Sequence, residues 1–284
     1  MRWIPRGPSD NVEDMRGQTG GPRMGGGMRL GLGGFLVLLI LSLVFKQNFF
    51  ALLGGGGIGG GVASTHELSP AEAARQDTLV SFVSFVLDTT QATWRQVLGD
   101  RYRDAKLVLF RDAIQSACGF AEEASGPFYC PRDEKVYIDL GFYDELRQRF
   151  GAPGDFAQAY VLAHEIGHHV QKLLGIEGRM RQLQEQNPEQ ANRLSVALEL
   201  QADCLAGVWG HEAARENILE PGDVEEGLGA AAAVGDDRLQ RMATGRVNPD
   251  AFTHGSSAQR VEWFRRGMQS GNLKSCDTFS ASRS

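Results

Sequence analysis

The stretch from Phe156 to Leu174 constrains the fold of this chain more than any other. Phe156, Tyr160, Ala163, Gly167, Val170 and Leu174 fall at helical spacing and make one apolar stripe, with Pro153 and Asp155 marking its start and Gly175 its end. A helix with such a stripe must lie against other elements. Its middle reads "AHEIGHHVQ" over residues 163–171, which puts three histidines and one glutamate within six positions. Side chains four apart stand one above the other on a helix, so His164 and His168 share a face and can direct their ring nitrogens to one tetrahedral zinc. Glu165 is rotated aside, where it can reach a water on the metal without entering the coordination shell, and together these residues make the H-E-x-x-H arrangement. His169 stands about 140° from His164 around the helix, off the ligand face. It falls four residues after Glu165, where it can pack beside that carboxylate or tune its proton affinity, packing being preferred.

A catalytic zinc takes a third protein ligand and keeps one position open. In "LELQAD" Glu199 and Asp203 again stand four apart on a predicted helix. The reading assigns Glu199 as the ligand and Asp203 as the acceptor for the outer N–H of a zinc-bound histidine, the reverse assignment also suiting zinc. His211 would extend too far along that helix and is read as structural. Two histidines and a carboxylate also make the facial triad of iron enzymes, and Glu165 between them favours zinc hydrolysis. A developing oxyanion needs a donor, and "THGSSAQR" offers His254 and Arg260. His254 is nominated first, because it precedes a glycine turn; a capping or surface role is its other reading.

Around this helix the pattern is mixed. Ser69, Pro70 and Glu72 make a capping box that opens a helix whose apolar face includes Phe82, Phe85 and Val86. "AKLVLFRD" and "EKVYIDLG" are the two strong strand signals. Helices are then predicted from Pro188 to His211, after "LEPGDVEEG", and over "SSAQRVEWFRRGMQSG", which Ser256 or Ser257 can cap. The expected class is α+β with helices dominant. A net charge of −6, with no basic face downstream of residue 60, argues against a nucleic-acid partner.

The first 65 residues are different in kind. Glycine-rich runs flank "LGLGGFLVLLILSLVFKQNFFALLG", which holds no charge over the 16 residues from Leu30 to Phe45. The expectation is a cytoplasmic segment 1–29, a transmembrane anchor 30–53, a linker 54–65 and a domain 66–284. Arg2, Arg6, Arg16, Arg23 and Arg29 place the N-terminus in the cytoplasm by the positive-inside rule and the domain outside, in a periplasmic or extracellular space. A cleaved signal peptide is the rival reading. Intramembrane catalysis fails, because the helix with the histidines also carries Asp155, Gln158, Gln171 and Lys172. The four cysteines suit an oxidising compartment. They allow three pairings, of which Cys118 with Cys130, across a short loop containing glycine and proline, is preferred, leaving Cys204 with Cys276.

"VLAHEIGHHVQKLLGI", "LELQADCLAGVW" and "THGSSAQRVEWFRRG", with "YCPRDEKVYIDLGFY" ahead of the active helix, resemble the neutral zinc metallopeptidase family of membrane-anchored bacterial proteins. The resemblance covers about residues 65–280, together with the "MRW" start and the glycine-flanked apolar run. A more distant similarity is to gluzincins with an E-x-x-x-D second motif. The resemblance implies a zincin-like fold and one Zn2+ per chain held by His164, His168 and Glu199. Glu165 would serve as the acid/base that takes a proton from water and returns it to the leaving amine of a peptide or protein substrate. Zincin-like enzymes often hold a peptide along an edge strand. "KVYIDLG" is the candidate here, an internal strand with a covered edge being the alternative. A zincin-derived assembly or binding protein that keeps zinc and cleaves nothing is the competing class; Glu165, which a structural zinc site does not require, weighs against it.

Overall fold

The computed structural model describes residues 1–5, 7–17, 70–122 and 126–281. The predicted anchor 30–53, the linker 54–65 and the Ser69 cap lie outside them. Among the described residues no helix is long and apolar enough to cross a membrane. Residues 1–20 and 74–284 form one compact unit and residues 21–73 a second; the first carries every described residue except 70–73.

In chain order the elements are β1 (Val12–Asp14), α1 (Pro70–Leu98), β2 (Lys106–Phe110), β3 (Ala113–Ser116), β4 (Gly119–Glu122), β5 (Phe128–Cys130), β6 (Lys135–Asp139), α2 (Gly141–Gln148), α3 (Asp155–Leu173), α4 (Ile176–Gln186), α5 (Ala191–Arg215), α6 (Asp223–Ala233), α7 (Asp236–Thr244), α8 (Ser257–Ser270) and α9 (Thr278–Ala281). The fold is helix-dominated α+β, as expected. One sheet has the order β1-β2-β6-β5, with β1, β2 and β6 parallel and β5 antiparallel to β6; β3 and β4 make a separate hairpin. Alternation along the strands gives the sheet two buried faces. Leu107, Leu109, Val136 and Ile138 join the main core with α1, α3 and α5, while Val108, Phe110, Tyr137 and Cys130 form a smaller cluster with Ile114 of the hairpin. Covered on both faces, β2 reads as a continuous apolar run.

Two expectations differ from this arrangement. "KVYIDLG" contains β6, which is paired on both sides and has no open edge. The edge on that side of the sheet belongs to β5, a strand too short to register as a sequence signal. Residues 1–17, read from the sequence as part of a separate segment 1–29, are instead built into the domain. The reason is local pairing: Leu107 N–H donates to the Asn11 carbonyl and Met15 N–H to the Leu109 carbonyl, both at 2.8 Å, which adds β1 to the edge of β2. Trp3 meets Phe82 edge-on, and Lys135 Nζ lies 2.7 Å from Glu13 Oε2. The buried amino group of Met1 sits 2.9 Å from Asp155 and 3.3 Å from Asp223.

The helices around α3 are held close by small residues. At its start the Glu226 carboxylate accepts the Phe156 N–H at 3.2 Å, and a Cβ on Gly154 would stand 1.8 Å from that carboxylate, so only glycine fits. α5 and α8 meet backbone to backbone at Gly207 and Gly267, where a Cβ would come within 2.2 Å of the Phe264 oxygen and 2.0 Å of the Cys204 oxygen. Of the two expected caps, Ser256 is the one that caps α8, in a capping box with Gln259. Both disulfides, Cys118–Cys130 and Cys204–Cys276, are the preferred pairs.

Candidate metal centre

The crossing of α3 over α5 makes the site. Gly167 faces Ala202 so closely that a Cβ there would lie 3.0 Å from the Ala202 oxygen, and this approach sets the i, i+4 pair of one helix against the i, i+4 pair of the other. His164 Nε2 lies 3.2 Å from Glu199 Oε2, and His168 Nε2 lies 3.4 Å from Glu199 Oε1. One ligand atom from each of the three residues lies within 4.8 Å of the others.

The outer ring nitrogens are committed elsewhere. His164 Nδ1 is 2.8 Å from Asp203 Oδ1 and His168 Nδ1 is 2.9 Å from Gln171 Oε1. Gln171 donates its Nε2 to the Leu198 carbonyl and to Gln201, which leaves Oε1 as an acceptor. A carboxylate and an amide oxygen only accept, so both histidines carry a proton on Nδ1 and, when neutral, turn the Nε2 lone pair toward Glu199. That is the tautomer a metal ligand needs. Two imidazoles and one carboxylate with fixed outer shells fit Zn2+ by donor type and number.

Electrostatics inside the cluster are strong. Burial pulls the His164 pKa down, but Asp203 and Glu199 outweigh it and raise it to about 10. His168 is raised in the same way, burial opposing and Glu199 prevailing. Burial would lift Glu199, yet the two imidazoliums hold it well below the carboxylate range.

Asp203 is fully buried and is the hub behind the site. Its oxygens accept from Tyr160 Oη at 2.5 Å, His164 Nδ1 at 2.8 Å and the Arg260 guanidinium at 2.8 Å and 2.9 Å. Arg260, expected as a possible oxyanion donor, is itself buried and spends its N–H groups on Asp203, Tyr160 and the Val234 carbonyl. Burial pushes the Asp203 carboxyl up, and Arg260 and His164 together bring it below its ordinary value.

Glu165 is buried at the edge of a cavity of about 480 Å³ that also exposes His164, His168 and Glu199. Among the described residues its carboxylate has no hydrogen-bond or ion-pair partner. Pro127, Phe128, Tyr129 and Pro131 line one part of the cavity, and Val234, Leu239 and His254 another. His254 is therefore brought to the cavity, held by Asp236, whose Oδ1 lies 3.2 Å from Nδ1 and whose Oδ2 accepts three successive backbone N–H groups. His211 is structural, with Nδ1 2.8 Å from the Met268 carbonyl.

His169 does not pair with Glu165. It is fully buried, with Nδ1 2.9 Å from Tyr129 Oη and Nε2 2.7 Å from the Arg103 carbonyl. Burial lowers its pKa. Sequence reasoning also missed the roles of Gln171 and Tyr160, although each stands three or four residues from a ligand histidine on the same helix and that spacing is a usable signal.

The profile of the family described as "Putative neutral zinc metallopeptidase" matches residues 1–279. The chain belongs to this family. It is 52% identical to the uncharacterized protein YpfJ of Escherichia coli K12 over 99% of this chain and 100% of that one. It is 45% identical to the uncharacterized protein Rv2575 of Mycobacterium tuberculosis and to Mb2605 of Mycobacterium bovis, over 68% of this chain and 68% of theirs. No solved structure matches the chain. Family membership implies zinc, and His164, His168 and Glu199 form a candidate site for it. The match also takes in residues 1–17, which the fold joins to the domain. The two disulfides point to a compartment outside the cytoplasm.

Proposed function

We propose that this protein is a zinc-dependent endopeptidase of an oxidising, extracytoplasmic compartment, attached to a membrane through the apolar run 30–53. The observation that carries the reading is the convergence of His164 Nε2 and His168 Nε2 on Glu199, beside a Glu165 carboxylate that opens to the cavity with no structural partner. His164, His168 and Glu199 would hold the ion. When bound, zinc supplies a Lewis acid that polarises a peptide carbonyl and acidifies water. Glu165 accepts the proton from water and passes it to the leaving amine. Asp203 and Gln171 keep both imidazoles in the ligating tautomer, and Arg260 keeps Asp203 ionised and oriented. His254, on the cavity wall, would donate to the oxyanion as the carbonyl rehybridises. β5, the strand at the cavity rim, is the edge along which an extended peptide would pair.

The test uses the full chain in detergent. Bound zinc and cleavage of casein and of a mixed peptide library are measured for the wild type and for Glu165→Gln. One zinc in each protein, with cleavage in the wild type alone, is the expected outcome. One zinc with no cleavage by the wild type would establish the competing class, a zinc-holding binding or assembly protein.

A further inference from the structure

The third histidine of the active helix lies one position after a metal ligand yet serves another element. β5 is only three residues long and is flanked by Pro127 and Pro131, which lack N–H groups, so β6 alone holds it by backbone pairing. Its side chains alternate. Phe128 stacks on Tyr137 with centroids 4.9 Å apart, and Cys130 is tied to Cys118, both on the face away from the main core. Tyr129 alone points to α3. Its hydroxyl meets His169 Nδ1 at 2.9 Å, and its ring meets the imidazole edge-on at 5.4 Å. The other ring nitrogen, Nε2, faces a carbonyl, which only accepts, so Nε2 carries the proton and Nδ1 accepts the Tyr129 O–H. The ring is locked on both sides and further enclosed by Tyr102 at 5.7 Å.

We propose that His169 is a positioning residue: through Tyr129 it fixes the height of edge strand β5 above His164, Glu165 and His168, and so sets how a substrate main chain lies over the site. The consequence for substrate use rests on the peptidase reading; the tie itself does not. Consecutive helix residues point 100° apart, so one turn of α3 presents His168 to the metal and His169 to the strand beside it.

The experiment compares Tyr129→Phe, His169→Phe, the double variant and His169→Gln, whose amide can accept from Tyr129 and donate to Arg103. Zinc content, amide hydrogen exchange at residues 128–130, and kcat and KM on a peptide cleaved by the wild type are measured. Full zinc content and faster exchange are expected in Tyr129→Phe and His169→Phe. KM should rise roughly three- to tenfold, the worth of one hydrogen bond, with kcat nearly unchanged. The double variant should be no worse than His169→Phe, and His169→Gln should recover most of the loss. Unchanged exchange at β5, additive losses in the double variant, or zinc lost with His169 would each overturn the assignment. Altered exchange in a protein whose wild type cleaves nothing would refute the peptidase reading and leave the tie standing.

The placement of residues 1–17 carries an independent conclusion. Arg16 reaches both Gln76 Oε1 and Asp77 Oδ1 at 3.3 Å, so residues 16 and 77 stand within one side chain's reach of each other. A helical crossing displaces a chain by about 30 Å, and the sequence 54–69, with its glycines, His66 and Glu67, offers no second apolar span to bring it back. Arg2 and Arg16, two of the arginines behind the positive-inside reading, are paired with Glu220, Asp14 and Asp77 inside the fold. We infer that residues 1–17 lie on the same side of the membrane as the metal centre. All four native cysteines are bridged, which permits single-cysteine labelling. Ile4→Cys and Val247→Cys, both at exposed positions, are treated in intact Escherichia coli cells with a membrane-impermeant maleimide. Both labelled, or both protected until lysis, is the expected result; one labelled and one protected overturns it.

Discussion

Replacing Asp203 with asparagine should damage this protein more than any change at the cavity surface. Asp203 is fully buried, and the neutral amide would leave the Arg260 guanidinium, 4% exposed, without its hydrogen-bonded counter-charge and with only the more distant Glu199 carboxylate at 4.0 Å. Breaking a buried pair on one side costs about 3–5 kcal/mol, against a total of about 5–15 kcal/mol for a typical domain. The amide nitrogen would also face one of the donors that the second carboxylate oxygen now accepts. In urea titrations of metal-free protein the midpoint should fall accordingly with an unchanged slope. Zinc affinity, read by chelator competition, should fall about 10- to 100-fold, because His164 exchanges the charged acceptor that orients it for a weaker neutral one. Asp203→Asn with Arg260→Met removes both charges, so its destabilisation should lie about 2 kcal/mol or more below the sum of the singles. A loss under about 1 kcal/mol in Asp203→Asn with normal zinc affinity, or a strictly additive cycle, would refute the claim that this carboxylate organises the site.

With its pKa raised to about 10, His164 carries a proton near neutral pH that zinc must displace, so binding should release a proton there. Because the His164 pKa is raised to about 10 from 6.5, its contribution to metal-free stability is complete below pH 6.5 and is lost as pH rises through 10. Apparent zinc affinity should climb over the same interval by about tenfold per pH unit for each proton displaced; calorimetry in buffers of different ionisation enthalpy reads the protons directly. Removing Cys204–Cys276, with a separation of 72 residues, should cost about 4.4 kcal/mol in the chain-entropy model and removing Cys118–Cys130, with a separation of 12, about 2.8; denaturant melts of the paired alanine variants test the order. Gly267→Ala should lower the melting temperature sharply, since its Cβ would fall 2.0 Å from the Cys204 oxygen, whereas Gly229→Ala meets nothing within 4 Å and should stabilise α6 by about 0.5–1 kcal/mol.

The site was legible in the sequence where its geometry is local. His164 with His168, and Glu199 with Asp203, are each defined by one turn of one helix, and the 3.6-residue period suffices to put each pair on a face. That the two faces meet depends on Gly167 against Ala202, a contact between helices that no periodicity reports. The same limit explains the strand error. Val136, Ile138 and Leu140 mark "KVYIDLG" as a strand, but whether a strand is central or at an edge depends on its neighbours, and β5 and β1 are three residues each, too short to show alternation. β1 in turn was hidden by charge: "NVED" reads as a polar turn because its Glu13 is satisfied by Lys135, 122 residues away.

His169 shows how far spacing alone can be carried. Its distance from Glu165 predicts a shared face, and over one turn that is sound. A fully buried polar ring, however, goes where both of its nitrogens can be satisfied, because each unmet hydrogen bond costs about 1–3 kcal/mol. Glu165 is an acceptor and could satisfy only a donor nitrogen, leaving the other to find a donor in an apolar interior. Tyr129 and the Arg103 carbonyl supply one donor and one acceptor on opposite sides of the ring, which neutral imidazole matches without residue. That pairing leaves Glu165 free of any partner in its own helix, and a carboxylate so placed is available to water at the metal. The histidine that does not touch the metal thus helps to keep the base unencumbered, because the hydrogen bonds it needs are found on β5 and at Arg103 instead.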